Sequence, residues 1–315
     1  MKNYDVIVIG GSAAGVPAAT TARKYYPEKS ILLVRDVEYV PIPCGIPYIY
    51  GTVKDTMKNL IPVTNIAKGN NLDLVVSKVE SIDRTSKLIK VESGETFGYD
   101  KLIIATGSKP IVPAIKGVDL KNVFAIKKNA IYLQEIQDQL DQSKHVVVIG
   151  GGFIGAEMAE ECKKHDPKIE VTVVEMQDHL LKLVYDEEFC VLAEEALLAQ
   201  NIKLMLNEQV AEIAGNGAVE AVKLASGKIL AADMVILGIG AIANTDLAES
   251  AGLDLGPTGG IKVNKYMRTV DPDIFACGDC ADKFSFFDGS PSYLKLASIA
   301  TMEARIAGIN LYKIR

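Results

Sequence analysis

Glycines and one cysteine are the residues best placed to do chemistry in this sequence. Asp5-Val6-Ile7-Val8-Ile9-Gly10-Gly11-Ser12-Ala13-Ala14-Gly15 and His145-Val146-Val147-Val148-Ile149-Gly150-Gly151-Gly152-Phe153-Ile154-Gly155 each run an apolar stretch into a glycine-rich turn. Gly10, Ser12 and Gly15, then Gly150, Gly152 and Gly155, hold the positions of a G-x-G-x-x-G signature. Such a turn opens a helix, and its backbone N–H groups with the helix N-terminus meet a pyrophosphate. One copy is a modest hint, because glycine-rich turns are common. Two in series point to two dinucleotides in one molecule, the arrangement of a redox relay. A lone thiol stands in Val40-Pro41-Ile42-Pro43-Cys44-Gly45-Ile46-Pro47-Tyr48. Pro43 and Pro47 restrict that loop, and Gly45 permits close approach to a ring. Cys277 and Cys280 form Cys-x-x-Cys, the spacing of a redox pair or half a zinc site. No second ligand pair lies nearby, so no metal is expected; two small buried residues are favoured and a disulfide stays open. Cys162 and Cys190 fall in helical patterns and read as packed.

The elements that must position these residues are repeated. Strand 4–10, helix 14–25 and strand 31–35 form one β-α-β unit; strand 145–150, helix 153–165 and strand 170–175 form another. The likeness continues: Ser93-Gly94 precedes Asp100 through Ala105-Thr106-Gly107, and Ser226-Gly227 precedes Asp233 through Gly238-Ile239-Gly240. Each unit therefore reads as a Rossmann core, a small β-meander and a closing strand, and an internal repeat weighs more than either signature alone. The predicted fold is α/β, with two Rossmann-like dinucleotide-binding domains, the second inserted in the first: residues 1–112, 113–242 and 243–315. Past Gly240, an apolar strand runs into Gly278-Asp279, and Tyr293 to Asn310 reads as a helix.

Bulk properties narrow the function classes. Hydrophobic residues make 49% of the 315 and charged residues 23%, which suits a chain with two proper cores. The net charge of −6 argues against a nucleic-acid surface and an anionic membrane surface. No apolar run approaches the ~18 residues of a spanning helix. A strand begins almost at the N-terminus, which leaves no signal peptide. Five unevenly spaced cysteines fit a reducing cytoplasm better than a disulfide scaffold.

Both signatures, Ala105-Thr106-Gly107, Gly238-Ile239-Gly240 and Asp273 through Asp279 together resemble the FAD-dependent pyridine nucleotide-disulfide oxidoreductases, along the whole chain. The resemblance implies FAD in the first unit and NAD(P)H in the second. It assigns Gly10, Ser12, Ala13, Ala14, Gly15, Val79, Ala105, Thr106, Gly107, Gly278, Asp279 and Ala297 to the FAD site, with Asp279 on the ribityl chain. Ser12 replaces a glycine, a small change that still permits backbone approach. Where relatives place an acid for the adenosine ribose, this chain has Arg35, then Asp36. Either Asp36 supplies the ribose contact, or Arg35 stacks on or bonds the adenosine. In the second unit, Gly150, Gly152, Ile154, Gly155, Gly238 and Gly240 belong to the nicotinamide site. Glu175 ends the second strand, followed by Met176 and Gln177 with no cation, so NADH is expected rather than NADPH. Phe153 and Glu157 match positions lining the nicotinamide pocket; for Phe153, core packing is the even alternative.

Cys44 resembles the redox cysteine of the same family, in its one-cysteine branch of CoA-disulfide reductases, NADH oxidases and peroxidases, and persulfide reductases. Two-cysteine relatives space the pair by four residues; here Tyr39 and Ile49 stand where the second would be. The thiolate is the nucleophile, and the branch cycles through a mixed disulfide, persulfide or sulfenic acid. Tyr48 is a proton donor or a packing residue. Arg23 and Lys24 are either CoA-phosphate contacts or solvated cations at a helix end. His145, His165 and His179 have no evident route to Cys44. The expected activity passes hydride from NADH to FAD and on, through Cys44, to a small disulfide, persulfide or oxygen acceptor. Two alternatives stand beside it: electron delivery to an iron–sulfur or rubredoxin partner with Cys44 incidental, and an NADH-sensing binding module. Relatives carry a C-terminal dimerisation domain of about a hundred residues; without it in this sequence, a homodimer stays open and slow disulfide turnover is expected.

Overall fold

A computed structural model describes residues 1–313. The chain opens with β1 (Lys2–Ile9), α1 (Gly15–Tyr25), β2 (Ile31–Arg35), α2 (Val63–Gly69), β3 (Asp73–Val76), β4 (Val79–Asp83), β5 (Leu88–Val91), β6 (Thr96–Ile104) and the short β7 (Ser108–Pro110). It continues with β8 (Val123–Ala125), α3 (Ala130–Leu140), β9 (His145–Ile149), α4 (Phe153–His165), β10 (Glu170–Val174), α5 (Glu187–Leu198) and β11 (Lys203–Met205). Then come β12 (Val210–Ala214), β13 (Ala221–Leu224), β14 (Ile229–Ala231), β15 (Met234–Leu237) and β16 (Ala241–Ala243), followed by α6 (Asp246–Ser250), β17 (Ile274–Ala276) and α7 (Ala297–Ile309). No helix among the described residues is long and apolar enough to cross a membrane.

Two compact units emerge: one from residues 1–43, 61–109 and 242 onward, the other from 44–60 and 110–241. The sequence boundaries put 44–60 in the first unit; packing puts this segment in the second. The reason is apolar burial. Ile46, Ile49 and Tyr50 sit in the core with Leu133, Met158 and Ile236.

In the first unit, β3, β2, β1 and β6 lie side by side, and β17 joins β6, all parallel. Both faces of this sheet are covered, so its strands are apolar throughout rather than alternating. Val6, Val8, Leu33 and Ile103 face the core that includes Ala18 and Ala22 of α1 and Ala304 of α7. Ile7, Ile9, Leu32 and Ile104 face the other core. β6 does two jobs: its start closes the antiparallel β4-β5-β6 meander, and its end is a central parallel strand. The second unit repeats the plan with a parallel sheet in the order β11-β10-β9-β15-β8. Its meander, β12-β13-β14, is a separate antiparallel sheet.

The last helix begins later than its pattern suggests. Leu296 is extended (φ −121°, ψ 137°), so α7 starts at Ala297, and Tyr293 and Leu294 precede it.

The glycine turns explain why strand and helix meet so closely. Gly10 and Gly150 hold φ of 119° and 101°, a region that favours glycine. A Cβ on Gly15 would stand 1.7 Å from the Gly10 carbonyl oxygen, and one on Gly155 1.8 Å from that of Gly150. A Cβ at Gly152 meets nothing within 4 Å, so its counterpart Ser12 carries a side chain without backbone conflict. Gly15→Ala and Gly155→Ala should each cost about 2 kcal/mol or more by overpacking, while Ser12→Gly should change stability by less than about 1 kcal/mol. Chemical denaturation of the three variants checks this order.

Candidate functional site

The first cradle forms at the C-terminal ends of β1, β6 and β17. Gly10 lies on Ala105, where a Cβ would come 2.1 Å from the Ala105 carbonyl oxygen. Gly278 (φ 79°) lies on Ala14, where a Cβ would come 2.7 Å from the Ala14 Cβ. Thr301 of α7 donates its hydroxyl to the Ala13 carbonyl at 3.1 Å and to that of Ala297 at 2.9 Å. Residues from both ends of the chain thus converge on the first turn. Asp279 accepts the Ser108 hydroxyl at 2.7 Å, and Thr106 donates to the Asn244 carbonyl at 2.7 Å beside Gly107. Val79 packs in the core of the sheet with Ile82, Ile89 and Val91.

Beneath the Gly278-Asp279 turn lies a buried ion pair that sequence reasoning missed. The Glu303 carboxylate accepts the Gly278 N–H at 2.8 Å and Lys283 Nζ at 2.9 Å, while Lys283 Nζ also donates to the Gly278 carbonyl at 2.6 Å. Burial raises the Glu303 pKa, and Lys283 and the Gly278 N–H oppose that rise. The available signal was Glu303 itself, the only acid in an alanine-rich helix.

What the first cradle lacks is acceptors. The α1 N-terminus has no side-chain cap. Ser12 Oγ and Arg35 Nε are buried without a hydrogen-bond partner. Arg35 Nη2 donates to Thr64 Oγ1 at 3.2 Å, and burial lowers the guanidinium's pKa. The Arg35 stem lies against Gly11, where a Cβ would stand 2.9 Å from Arg35 Cβ. Asp36 is exposed. Orphaned donors beside an uncapped helix start suit the phosphate and ribose oxygens of a dinucleotide, so these residues fit FAD.

The second cradle is built alike. Gly150 lies on Gly238, where a Cβ would come 2.9 Å from the Gly238 carbonyl, and Gly240 holds φ 101°. Glu175 turns back onto its own glycine turn: one carboxylate oxygen accepts the Gly151 N–H at 2.6 Å, the other the Gln177 N–H at 2.8 Å. Arg35 and Glu175 therefore occupy corresponding places with opposite charge. Phe153 is 37% exposed and edge-on to Tyr185, with centroids 5.8 Å apart. It stands at the surface against Tyr185, whereas Ile154 packs against the core. Glu157 is exposed at its surface, yet desolvation by its neighbours, with Glu160 and Glu161 nearby, raises its carboxyl above the usual range.

Cys44 sits in the short turn Pro43–Gly45 and is exposed, while Cys162, Cys190, Cys277 and Cys280 are buried and none is in a disulfide. Burial pushes the Cys162 thiol up to about 12 and raises Cys277 and Cys280. Gly45 packs on Asn59, where a Cβ would stand 2.0 Å from Oδ1, and this closes the loop on itself. Tyr48 is 44% exposed. His165 does approach this segment: its Nδ1 donates to the Tyr50 carbonyl at 2.9 Å, and its Nε2 lies 2.8 Å from Asp141. His145 and His179 engage Asp233 and Glu194 instead. Among the described residues no acidic, Cys or His cluster could hold a metal.

Arg23 is engaged by backbone carbonyls. Its guanidinium donates to the carbonyls of Asn70, Pro27, Lys29 and Asn71 at 3.1, 2.8, 2.7 and 2.7 Å, which ties the end of α1 to two loops. Lys24 is exposed at the same helix end.

Residues 4–304 match the pyridine nucleotide-disulphide oxidoreductase family. The chain belongs to that family. It is 33% identical over 312 residues to an NAD(P)H sulfur oxidoreductase (CoA-dependent) from Pyrococcus abyssi, covering 97% of this chain and 69% of that one. It is 30% identical over 319 residues to a rubredoxin-NAD(+) reductase from Pseudomonas putida, covering 97% and 79%. Its fold is similar to that of reduced Bacillus anthracis CoADR-RHD, with a TM-score of 0.90 and 34% identity over 98% of this chain. The chain spans 56% of the length of that solved structure. Membership makes it an oxidoreductase of the FAD- and nicotinamide-using kind.

Two expectations follow for this family member. Native protein should titrate one thiol with a small maleimide or disulfide reagent and denatured protein five, because burial protects the other four. Exchanging Glu175 for Ala together with Met176 for Arg should improve kcat/KM for NADPH relative to NADH by about tenfold or more, since an acid excludes a 2′-phosphate and an arginine binds it.

Proposed function

We propose that this chain takes reducing equivalents from NADH to FAD and delivers them, through Cys44, to a sulfur–sulfur bond or an oxygen species. The observation that carries this reading is that the lone exposed thiol follows directly on a unit with one dinucleotide cradle, in a chain with a second cradle. In this reading Gly10, Ser12, Ala13, Ala14 and Gly15, with the α1 N-terminus, hold the FAD pyrophosphate. Arg35 contacts the adenosine in place of an acid, and Asp279 accepts a ribityl hydroxyl. Ala105, Thr106, Gly107, Gly278 and Ala297 shape the same cradle. Gly150, Gly152, Ile154, Gly155, Gly238 and Gly240 hold the NADH pyrophosphate. Glu175 receives the ribose hydroxyls, and Phe153 and Glu157 line the nicotinamide side. FAD, when bound, accepts hydride and passes on two electrons.

Cys44 then acts as nucleophile. Its thiolate attacks one sulfur of the acceptor; a new S–S bond forms, the old one breaks, and the departing thiolate takes a proton. Tyr48, exposed four residues on, is the proposed donor. Two electrons return Cys44 to its thiolate and release the second sulfur product. A peroxide acceptor would instead give one oxygen to the Cys44 thiolate: the O–O bond breaks, hydroxide leaves and takes a proton, and two electrons with a proton return the sulfenic acid to the thiolate and release water. The likeness to a rubredoxin reductase supports a second reading, in which a small electron-transfer protein takes the electrons and Cys44 is incidental.

Cys44→Ser separates the two. Under anaerobic conditions with NADH, reduction of CoA disulfide, CoA persulfide or polysulfide should fall by about a hundredfold or more, while reduction of an artificial dye continues. Undiminished turnover of every acceptor in that variant would favour the protein-partner reading. Bleaching of the bound flavin by NADH slower than a catalytic timescale would favour a binding module.

A further inference from the structure

The segment after Cys44 is fastened by a buried carboxylate that the proposed nucleotide chemistry does not use. Glu161 of α4 is 1% exposed. Its two oxygens accept the Thr52 hydroxyl at 3.0 and 2.8 Å, and Lys164 Nζ lies 3.0 Å away. Lys164 belongs to the same helix, so Thr52 is the partner that reaches Glu161 from outside it. Gly51 is pressed on α4 between these contacts: a Cβ there would stand 2.5 Å from the Glu161 carbonyl oxygen and 2.8 Å from Oε2. On either side, His165 holds the Tyr50 carbonyl, and Thr56 donates to Gln134 and Gln137 of α3 at 2.9 and 3.2 Å. Residues Ile49–Val53 form a single π-helical turn, a rare conformation found often at functional sites. All these contacts lie within the second unit.

We propose that Glu161, acting through Thr52, is a positioning residue for Cys44. The thiol is thereby carried by the helix whose other end forms the second glycine turn. The proposal rests on the reading of Cys44 as the redox thiol. Its physical basis is the buried Glu161 Oε2: Lys164 serves Oε1, so giving up Thr52 would leave one buried carboxylate oxygen without a hydrogen bond. Thr52 contacts neither cradle, so its loss should not touch flavin reduction; Glu161 acts electrostatically on Glu157 one helical turn away, so the flavin-reduction control is read on the Thr52 variants.

The test uses FAD-loaded enzyme and three variants: Thr52→Val, which keeps the shape and removes the hydroxyl; Glu161→Gln; and Thr52→Ser, which restores the hydroxyl. Amides of residues 49–53 should exchange about tenfold faster in Thr52→Val and Glu161→Gln, because local opening is easier. Cys44-dependent acceptor reduction should fall by about tenfold in kcat/KM in both, while in Thr52→Val the rate at which NADH reduces the flavin stays within about twofold. Thr52→Ser should recover both. Equal losses in the two half-reactions of Thr52→Val would mark a merely structural contact and overturn the proposal, as would unchanged exchange and turnover in Thr52→Val beside an inactive Cys44→Ser. A fully active Cys44→Ser would instead remove the redox reading of Cys44 on which the proposal stands.

Discussion

Each glycine turn works because a helix start and a strand end share space that a single methyl group would fill. The third glycine of each signature is the point of contact: Gly15 on the Gly10 carbonyl, Gly155 on the Gly150 carbonyl. Much follows from that approach. It brings the helix N-terminus to the edge of the sheet with its N–H groups facing outward and no side chain capping them. It demands small neighbours around the turn, and these are present as Ala14, Ala105 and Gly278 in one unit and Gly238 in the other. It also requires strands apolar on both faces, because the helices must lie flat on the sheet to reach its end.

The two copies diverge where a side chain comes back to its own turn. Glu175 is an acceptor, so it binds the Gly151 N–H and satisfies itself. Arg35 is a donor only and cannot pair with the corresponding N–H at Gly11. Its stem packs there, its Nη2 finds Thr64, and its Nε is left over. The orphaned nitrogen is thus a direct consequence of exchanging acid for base on the same backbone. It gives the first cradle a demand for acceptor oxygens that the second does not have.

How much of this was legible in the sequence depended on the range of the interaction. β1, α1, β2, β9, α4 and β10 were readable because apolar runs and glycines are local signals; the helix at 153–165 falls where its pattern puts it. The start of α7 was not, because Tyr293, Leu294 and Leu296 continue an apolar pattern while the backbone at Leu296 is extended. The carbonyl contacts of Arg23 were not legible because backbone carbonyls are acceptors that any residue supplies. The Lys283–Glu303 pair and the allegiance of residues 44–60 were hidden for a further reason. They depend on partners far apart in sequence, such as Thr52 and Glu161, and neither partner is unusual alone.

Cysteine chemistry in this chain is sorted by burial before any base or acid acts. Desolvation disfavours the thiolate at Cys162, Cys277 and Cys280, so these sulfurs are poor nucleophiles at neutral pH. Cys44 is exposed because its turn projects from the core while the residues that follow are locked into it. An exposed thiol on a loose loop would meet acceptors in many orientations, and most would be unproductive. An exposed thiol on a fastened loop keeps access to solvent and a fixed direction of attack together. Ile49 and Tyr50, both fully buried, supply the fastening at small cost to the sulfur's surroundings. In the proposed reaction the apolar residues after Cys44 would matter as much as the thiol does: they let one cysteine of five be both reachable and held.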